Sequence, residues 1–494
     1  MGRFNALPTA AITDDSAVGG QIIQGSTIFD TNHSAYLSRT PSSAGNQKTY
    51  TVSVWVKKSS NDAVYPIFSR HTGNNESGFL GLYLNSDNNI YFTGWSTVYL
   101  KTNRIYRDTN AWSHIVLAVD TTQASSSNRI KLYFNGELQT FVTYNAPSQN
   151  ADLVINVNGA EHKIGNYSTN YFNGQMTEMH FIGGQALDSS YFGFTEFQTG
   201  IWRPKKYEGT YGTNGFYLDF KDTTSDTTIG YDKSGNANNF SPHDVQVSDS
   251  VPDTPTNDFC MMSGLNKNSG LSHGNLQFYK WNDSGAALVC CQASMDIPNT
   301  GKWVWEHRWT GYQHTRYWAM TRRIRAQGTY LDNSAYVYYD MYDGKTVSGL
   351  NGSVVTTLTG GQASYGDNTT RFWMMACDMD AMQASFYYNN TLISTIAIPE
   401  LPDDGKGNYV WTWTSTNGGS GSSYDDRFNF GQDSTYFGAA SLQNKTDASG
   451  LGQFYTTVPA GHNCLCTKNL PARTDVLVEP QKHFDTLLYT GNGS

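Results

Sequence analysis

Short segments in which polar and apolar residues alternate recur along the chain, and they constrain its fold more than any other feature of the sequence. A side-chain period of two is typical of strands that bury one face, and no stretch keeps a 3.6-residue apolar period over several turns. Clusters of Gly, Asn and Ser separate the segments. The clearest predicted strands are residues 50–56, 79–84, 89–93, 114–119, 130–134 and 177–182. The sequence therefore predicts an all-β fold with few short helices.

Two hairpin signals, one in each half of the chain, indicate a repeated architecture. Residues 132–138 (LYFNGEL) and 386–392 (FYYNNTL) each place an Asn-Gly or Asn-Asn pair, which accepts positive φ, between strand-forming runs. At 494 residues the chain is too long for one sandwich. We expect two related antiparallel sandwiches in tandem. The segment WRPKKYEGTYGTNG, which begins at Trp202, predicts the connection, and we place the connector at residues 206–215.

The charge balance argues against two classes of partner. The chain has 33 Lys and Arg against 42 Asp and Glu, a formal net charge of -9. It therefore has no basic field to attract phosphates or anionic lipids. The first residues lack the apolar core of a secretory signal, and no run of apolar residues is long enough to span a membrane. We expect no nucleic-acid partner and no membrane partner.

Several motifs follow one another in the first half of the chain, and their order is informative. They are YTVSVWVKKS from Tyr50, AWSHI from Ala111, LYFNGEL from Leu132, FNGQM from Phe172 and ALD from Ala186. On these motifs, residues 22–205 resemble the laminin-G-like branch of the concanavalin A-type lectin/glucanase superfamily. The resemblance implies a concanavalin A-like jelly roll.

A second set of motifs occupies the other half. It consists of GKWVWE from Gly301, CDMD from Cys377, SFYYN from Ser385 and NFGQ from Asn429. These motifs resemble those of SPRY domains, and the resemblance implies a second concanavalin A-like sandwich over residues 216–466. Together with the segments GTNGFYLDF and FDTLLYTGNGS, the pair of modules resembles structural and tail-fibre proteins of tailed phages.

The glucanase side of this superfamily raises the question of catalysis. A retaining glycosidase needs two nearby carboxylates, which laminarinase-type members supply from one strand as E-x-D-x-x-E. The nearest segment begins at Glu178, with His180 in place of the Asp and Gly183 in place of the second Glu. Glu178 and His180 form either a functional dyad or a polar pair on the face of an edge strand. We find no catalytic residues and expect a protein that is not an enzyme.

Aromatic and amide-rich segments that we predict as loops are the candidates for ligand binding. Sugars stack on Trp and Tyr rings and hydrogen-bond to polar side chains. The alternative for each aromatic residue is a place in the core. The candidate ligand-binding residues are Trp95, Tyr312, His314, Trp411, Trp413 and Tyr424.

One segment has the spacing of a calcium loop. Residues 232–238 (DKSGNAN) place side-chain oxygens at alternate positions, and we take Asp232 and Asn236 as candidate metal ligands. The alternative is an Asx turn that satisfies its own hydrogen bonds. Calcium is the single cofactor that the sequence suggests, and otherwise we expect none.

Soft metal ligands occur near the C-terminus. His462, Cys464 and Cys466 occupy alternate positions, which on a strand would share one face. The spacing of a closed zinc site is absent, so buried thiols are the alternative.

The two ends differ from the predicted sandwiches. Residues 1–21 predict an N-terminal arm, and residues 467–494 predict a tail that is too apolar to stay solvated. We expect this tail to dock on a neighbouring subunit.

The phage resemblance implies a non-enzymatic virion protein, a tail fibre or similar appendage, that recognises host-surface carbohydrate or another surface component. Such a protein is assembled in the host cytoplasm and acts outside the cell. Its partners are other virion proteins and a host glycan or receptor, and a homo-oligomer such as a trimer is expected. The alternatives are a structural protein that decorates the capsid or joins the tail, and a polysaccharide depolymerase.

Overall fold

Strands and connecting turns make up the part of the chain that the structure describes. This computed structural model describes residues 20–471, except positions 62, 76, 197–198, 265–270, 282–288, 311–315, 323–334, 342–343, 352, 359–369, 402–407 and 416–422. The helices within these residues are short 3₁₀ turns: Thr31–His33, Ser126–Asn128, Ser189–Tyr191, Asp226–Gly230 and Val247–Asp249. The predicted all-β class is confirmed.

The strands of the first half are, in chain order, β1 (Ser26–Phe29), β2 (Tyr36–Arg39), β3 (Thr49–Lys58), β4 (Tyr65–His71), β5 (Phe79–Leu84), β6 (Ile90–Gly94), β7 (Val98–Thr102), β8 (Ser113–Asp120), β9 (Ile130–Phe134), β10 (Glu137–Leu138), β11 (Phe141–Tyr144), β12 (His162–Ile164), β13 (Asn166–Tyr167), β14 (Asn170–Tyr171), β15 (Gly174–Gly183), β16 (Gly193–Thr195), β17 (Trp202–Pro204), β18 (Phe216–Leu218), β19 (Ser241–His243) and β20 (Ser250–Val251).

The strands of the second half are β21 (Leu271–Ser272), β22 (Gln277–Trp281), β23 (Val289–Asp296), β24 (Lys302–Thr310), β25 (Arg316–Arg322), β26 (Ala335–Asp340), β27 (Lys345–Leu350), β28 (Ser353–Leu358), β29 (Arg371–Asp378), β30 (Gln383–Tyr388), β31 (Thr391–Ala397), β32 (Tyr409–Ser415), β33 (Ser423–Asn429), β34 (Lys445–Thr446), β35 (Gln453–Phe454) and β36 (Asn463–Cys464).

Two facing antiparallel sheets form the first sandwich. Sheet I has the order β10-β9-β8-β3-β15-β1-β20, with β18 also paired to β15, and sheet II has the order β11-β7-β6-β5-β4-β12-β2-β19. Alternation along β3 explains the packing, because Val52 and Val54 point into the core between the sheets while Ser53 and Trp55 point to the opposite face of sheet I. All six predicted strand segments coincide with strands to within one residue or lie inside them.

Two further sheets form the second sandwich. Sheet III has the order β21-β22-β33-β24-β29-β30-β31 with β36 paired parallel to β24, and sheet IV has the order β23-β32-β25-β26-β27-β28. Tryptophans fill its core, and Trp305 stacks on Phe430 with ring centroids 5.3 Å apart. Together the four sheets give concanavalin A-like sandwiches in tandem, as predicted.

Both hairpin predictions are confirmed. Asn135 and Gly136 have φ values of 46° and 86°, and Asn389 and Asn390 have 45° and 69°. Two consecutive positive φ values are what a tight hairpin between right-twisted strands requires.

The first sandwich extends further along the chain than predicted. β18, β19 and β20 lie after the expected connector at 206–215, yet they pair with β15, β2 and β1 of the first sandwich. Phe216 and Phe240 pack in its core. We therefore place the change of module after Val251, not at residues 206–215. The short strands of residues 216–251 are too brief to show a periodic pattern, whereas their tertiary pairing is unambiguous.

The C-terminal side also packs on its own chain as far as it is described. The backbone amide of Thr467 donates to the carbonyl of Asp258 at 2.8 Å, and Leu470 contacts the core of the second sandwich. Residues 472–494 of the predicted tail and residues 1–19 of the predicted arm lie outside the described residues.

Candidate functional site

The face of sheet I that points away from the core is divided into a covered part and an open part. Residues 191–196 and 199–215, which we call the cover segment, cross this face and fill it with Phe192, Trp202 and Tyr207. Beyond the edge of the cover segment the face remains open as a groove. The chemistry of the two parts differs.

The covered part contains the predicted Glu178 and His180 pair. The Glu178 carboxylate accepts hydrogen bonds from the Tyr217 hydroxyl, at 2.8 and 2.9 Å to its two oxygens, and from the Gln21 amide at 2.8 Å. His180 Nε2 lies 3.7 Å from Glu178 Oε2, and the ring stacks on Tyr217. Burial and the Glu178 charge raise the pKa of Tyr217 well above its usual value.

The strand position of this pair differs from the sequence interpretation. β15 lies inside sheet I, between β3 and β1, so Glu178 and His180 are buried and do not lie on an edge strand. The pairing of β15 with β3 shifts register between Thr177 and His180, and Glu178 has a positive φ of 50°. Such a bulge adds one residue to the strand, so Met176 and Met179, three residues apart, both enter the core. Glu178 and His180 flank Met179 and share the opposite face by ordinary alternation.

His114 lies in the same layer and is held neutral. The indole of Trp202, which can only donate, donates to His114 Nδ1 at 3.1 Å, and Nε2 lies 2.8 Å from the Ser53 hydroxyl. Nδ1 is therefore an acceptor and Nε2 has the proton. Burial, with a smaller contribution from His180, lowers the pKa of His114 to about 3.

The open part of the face is a groove with a volume of about 340 Å³. Three separate stretches form it: the end of β8 with the turn after it, β9, and the segment that begins the 3₁₀ turn Ser189–Tyr191. This volume lies within the range of pockets that bind small ligands. The residues that line the groove are Ala118, Asp120, Gln123, Asn128, Lys131, Tyr133, Ala186, Leu187, Asp188 and Tyr191.

Strand alternation presents two of these side chains to the groove. On β9, Ile130 and Leu132 point into the core, so Lys131 and Tyr133 point outward. Burial, together with the charge of Asp188, raises the pKa of Tyr133, so this hydroxyl stays protonated at neutral pH. Tyr191 lies across from them and is 49% exposed.

The acidic groups at the groove are engaged in fixing its walls. Asp120 accepts from the Gln123 amide at 2.6 Å and from the Thr122 hydroxyl at 2.6 Å. Asp188 caps the 3₁₀ turn by accepting from the Ser190 amide at 2.8 Å. These hydrogen bonds hold the rim, while Lys131 has no carboxylate within ion-pair distance among the described residues.

Of the aromatic residues that the sequence suggested as ligand platforms, one is exposed and two are not. Trp95 lies in the turn between β6 and β7 and is 49% exposed, where the prediction placed it. Trp411 and Trp413 lie in β32, which is paired on both sides by β23 and β25, and both are fully buried. The prediction that they lie in a loop is wrong. The alternating VWTWT pattern of residues 410–414 belongs to an interior strand whose indoles fill the core.

Three other candidates are outside what can be described. Tyr312 and His314 lie outside the described residues, and for Tyr424 only the backbone, in β33, is described.

The candidate calcium loop satisfies its own hydrogen bonds. One carboxylate oxygen of Asp232 accepts from the amides of Tyr217 and Ser234, and the other accepts from the Ser234 hydroxyl and the Asn238 amide. The Asn236 side chain donates to backbone carbonyls of the preceding loop at 2.8 and 2.9 Å. This geometry is the Asx turn that the sequence offered as the alternative to calcium.

The sequence did not identify the groove residues as a site, because no single stretch contains them. Tyr133 lies in the hairpin motif LYFNGEL, where its outward direction follows from the alternation. That alternation is the one available signal. The meeting of residues 118–133 with residues 186–191 depends on the tertiary fold.

The first sandwich matches a known family. Residues 30–189 match the family described as the concanavalin A-like lectin/glucanases superfamily. The laminin-G-like resemblance of this half of the chain is thereby confirmed. None of the curated proteins matches the chain.

Solved structures similar to the chain have low identity. A heptameric SAP-like pentraxin from Limulus polyphemus is 16% identical, with 34% of this chain and 80% of that chain covered and a TM-score of 0.27. The TRIM65 PSpry domain is 13% identical, with 34% and 91% covered and a TM-score of 0.26. Domains LG4-5 of the mouse laminin alpha1 chain are 9% identical, with 84% and 86% covered and a TM-score of 0.26. At these values the similarities carry no inference about function.

Within the described residues, no helix has the length and apolar character needed to cross a membrane.

Proposed function

We propose that the protein binds carbohydrate through the groove on sheet I and does so without catalysis. The observation that supports this proposal is the groove itself, in which the rings of Tyr133 and Tyr191, the Lys131 ammonium and the Asn128 amide converge on about 340 Å³ of open volume. Hydroxyl-rich ligands need this combination, because ring faces stack on tyrosine while the hydroxyls exchange hydrogen bonds with polar side chains.

The groove side chains divide the expected contacts between them. Tyr191 is half exposed and offers a ring face, and Tyr133 offers a protonated hydroxyl. Lys131 and Asn128 add donors, and the Asn128 amide also adds an acceptor. The walls are held by the Asp120 and Asp188 hydrogen bonds, so a ligand meets a largely preformed site.

The proposal that the protein is not an enzyme rests on the hydrogen bonds and the burial of Glu178. Its carboxylate accepts from Tyr217 and Gln21 and lies under the cover segment, where a polysaccharide chain has no access. The neighbouring His180 cannot replace the second carboxylate of a retaining glycosidase.

We further propose that this binding serves a phage virion, as a tail fibre or similar appendage that recognises the host surface. In this role the protein forms a homo-oligomer such as a trimer, in keeping with the symmetry of appendages. This proposal rests on the pairing of a laminin-G-like with a SPRY-like sandwich and on the acidic, weakly charged composition. It implies that the protein acts extracellularly after assembly in the host cytoplasm.

A second candidate function, a purely structural role in the virion, is favoured by one observation. β28 is the last strand of sheet IV, and its side chains Val354, Val355 and Leu358 are 60%, 61% and 37% exposed. An apolar edge strand of this kind is a surface on which another chain can add. In this role the sandwiches bind other virion proteins instead of sugar.

A glycan array probed with the purified full chain tests the carbohydrate proposal. We expect saturable binding to a defined set of glycans, lost in Tyr191→Ala and retained in Tyr231→Ala, because Tyr231 is a 38% exposed tyrosine outside the groove. Trp95→Ala, assayed in parallel, tests the turn between β6 and β7, which we call the Trp95 turn. Binding that survives Tyr191→Ala but not Trp95→Ala would place the site at the Trp95 turn. Absence of binding to any glycan would refute the proposal. Release of reducing ends from a bound polysaccharide contradicts the non-enzymatic part.

A further inference from the structure

Three side chains with metal-binding atoms lie together where the two sandwiches meet. Asp30 and His33 begin and end the turn after β1 of the first sandwich, and His273 lies in the turn between β21 and β22 of the second. One ligand atom from each residue lies within 4.8 Å of the other two. We call these residues the junction triad.

The carboxylate of the triad is incompletely satisfied. Oδ2 of Asp30 lies 2.6 Å from His33 Nδ1 and 3.3 Å from His273 Nδ1. Oδ1 is buried and no described residue has a donor in hydrogen-bond geometry to it, and Asp30 is only 3% exposed. A buried carboxylate oxygen without a donor is costly, and in folded proteins such atoms usually meet a donor, an ordered water or an ion.

The local fold holds the three residues in place. The amide of Ala35 donates to the carbonyl of Asp30 at 3.2 Å and closes the turn that brings His33 back to the carboxylate. Gln277 Oε1 lies 2.7 Å from His273 Nδ1 and also accepts from the Ser272 hydroxyl at 3.0 Å. Gln277 Oε1 can only accept, so His273 Nδ1 donates to it, and these contacts fix the orientation of the ring.

The charges around the triad favour a cation on balance. Asp249 interacts electrostatically with both Asp30 and His33. Arg427 is the opposing positive charge, but its guanidinium is already paired with Asp425 at 2.9 Å.

We propose that the junction triad binds a divalent transition-metal ion of the zinc class and that this ion ties the first sandwich to the second. Two imidazoles and one carboxylate suit zinc, whereas calcium and magnesium prefer oxygen ligands alone. The ion takes the place of the proton between His33 and Asp30, so binding releases protons. His33 has a side chain that is 57% exposed, which leaves a route for the ion and a position for water.

Titration calorimetry of the full chain with zinc chloride, after chelator treatment, tests the site. We expect one ion per chain and a binding heat that changes with the ionisation enthalpy of the buffer, because protons are released. His33→Ala, at an exposed position that tolerates truncation, should weaken binding at least tenfold. His71→Ala, a histidine of β4 outside the triad, should bind as the wild type does.

Cobalt(II) spectra distinguish the triad from the other soft ligands of the chain. The Sγ atoms of Cys464 and Cys466 lie 3.7 Å apart and would give an intense thiolate-to-cobalt charge-transfer band. A cobalt spectrum without that band, lost in His33→Ala, supports the triad. The proposal is overturned by a wild-type chain that binds no zinc, by a His33→Ala variant that binds as tightly, or by a thiolate band that survives this substitution.

Discussion

Lys57 is the most buried cation described in the chain with two acidic partners, and replacing it gives a sharp prediction. Its ammonium lies 2.8 Å from Asp253 Oδ2 and 2.5 Å from Asp258 Oδ1, and its side chain is 1% exposed. Burial opposes the charge of Lys57, but the two carboxylates outweigh it and raise its pKa. Asp253 also accepts from the Trp112 indole at 3.1 Å. The substitution is Lys57→Met, which keeps most of the aliphatic volume and removes the charge.

The magnitude follows from what the substitution leaves behind. At an effective dielectric constant of about 20, each contact contributes roughly 6 to 7 kcal/mol of gross attraction, most of which offsets the cost of burying the charges. Without Lys57, the fully buried carboxylate of Asp253 and the partly buried one of Asp258 face each other with no cation between them. Breaking a buried pair from one side costs about 3 to 5 kcal/mol. For a sandwich of this size that loss lowers the unfolding temperature by on the order of 10 °C.

Urea denaturation at neutral pH, followed by tryptophan fluorescence, measures this loss. Lys101→Met is the matched control, because Lys101 pairs with Asp87 at 2.9 Å on the surface and such exposed pairs contribute less than about 1 kcal/mol. Adding Asp253→Asn to Lys57→Met removes one of the two unneutralised carboxylates and should recover part of the lost stability. If Lys57→Met destabilises no more than Lys101→Met, the reasoning about the buried cluster is wrong.

Two further predictions concern stability. His114 and His162 are buried, and burial lowers their pKa values to about 3 and about 4. As the pH falls below about 6.5, these histidines therefore bind protons in the unfolded chain but not in the folded chain. Each should lower the free energy of unfolding by up to about 1.4 kcal/mol per pH unit. Urea midpoints of the wild type and of His162→Gln, measured in chelator at pH 7, 6 and 5, check this, because Asp249 has a pKa raised to about 7 and acts in the opposite direction in both chains. The same dependence on pH in the two chains would contradict the prediction for His162. Gly136→Ala should destabilise by about 1 to 3 kcal/mol, because φ is +86° and the new Cβ would lie 2.5 Å from the Trp202 ring. Gly159→Ala has a φ of +70° and nothing within 4 Å, so it should show the backbone cost alone, and equal losses in thermal unfolding of the two variants would rule out the Trp202 contact as the cause.

The strands of the first sandwich were predictable because their side chains alternate strictly. In β9 every second residue enters the core, and the Asn135-Gly136 pair fixes the turn that follows. Local pattern and tertiary packing agree at these positions, so the sequence alone was sufficient.

The module boundary and the aromatic ligand residues were not predictable in the same way. The segment around Trp202 has the composition of a linker, yet it covers sheet I, and only the pairing of β18 with β15 shows that the first sandwich continues. Trp411 and Trp413 have a pattern shared by exposed platforms and interior strands, and the pairing of β32 on both sides decides between them. Three stretches that are separated in sequence form the groove, and sequence patterns alone do not show that these stretches meet in the fold.

Hydrogen exchange of the protein with and without a glycan identified on the array tests the central claim most directly. If the groove is the binding site, the glycan should slow exchange of backbone amides at residues 118–133 and 186–191, and this protection should disappear in Tyr191→Ala. Protection at the Trp95 turn or in the second sandwich, with residues 118–133 and 186–191 unchanged, would contradict the account.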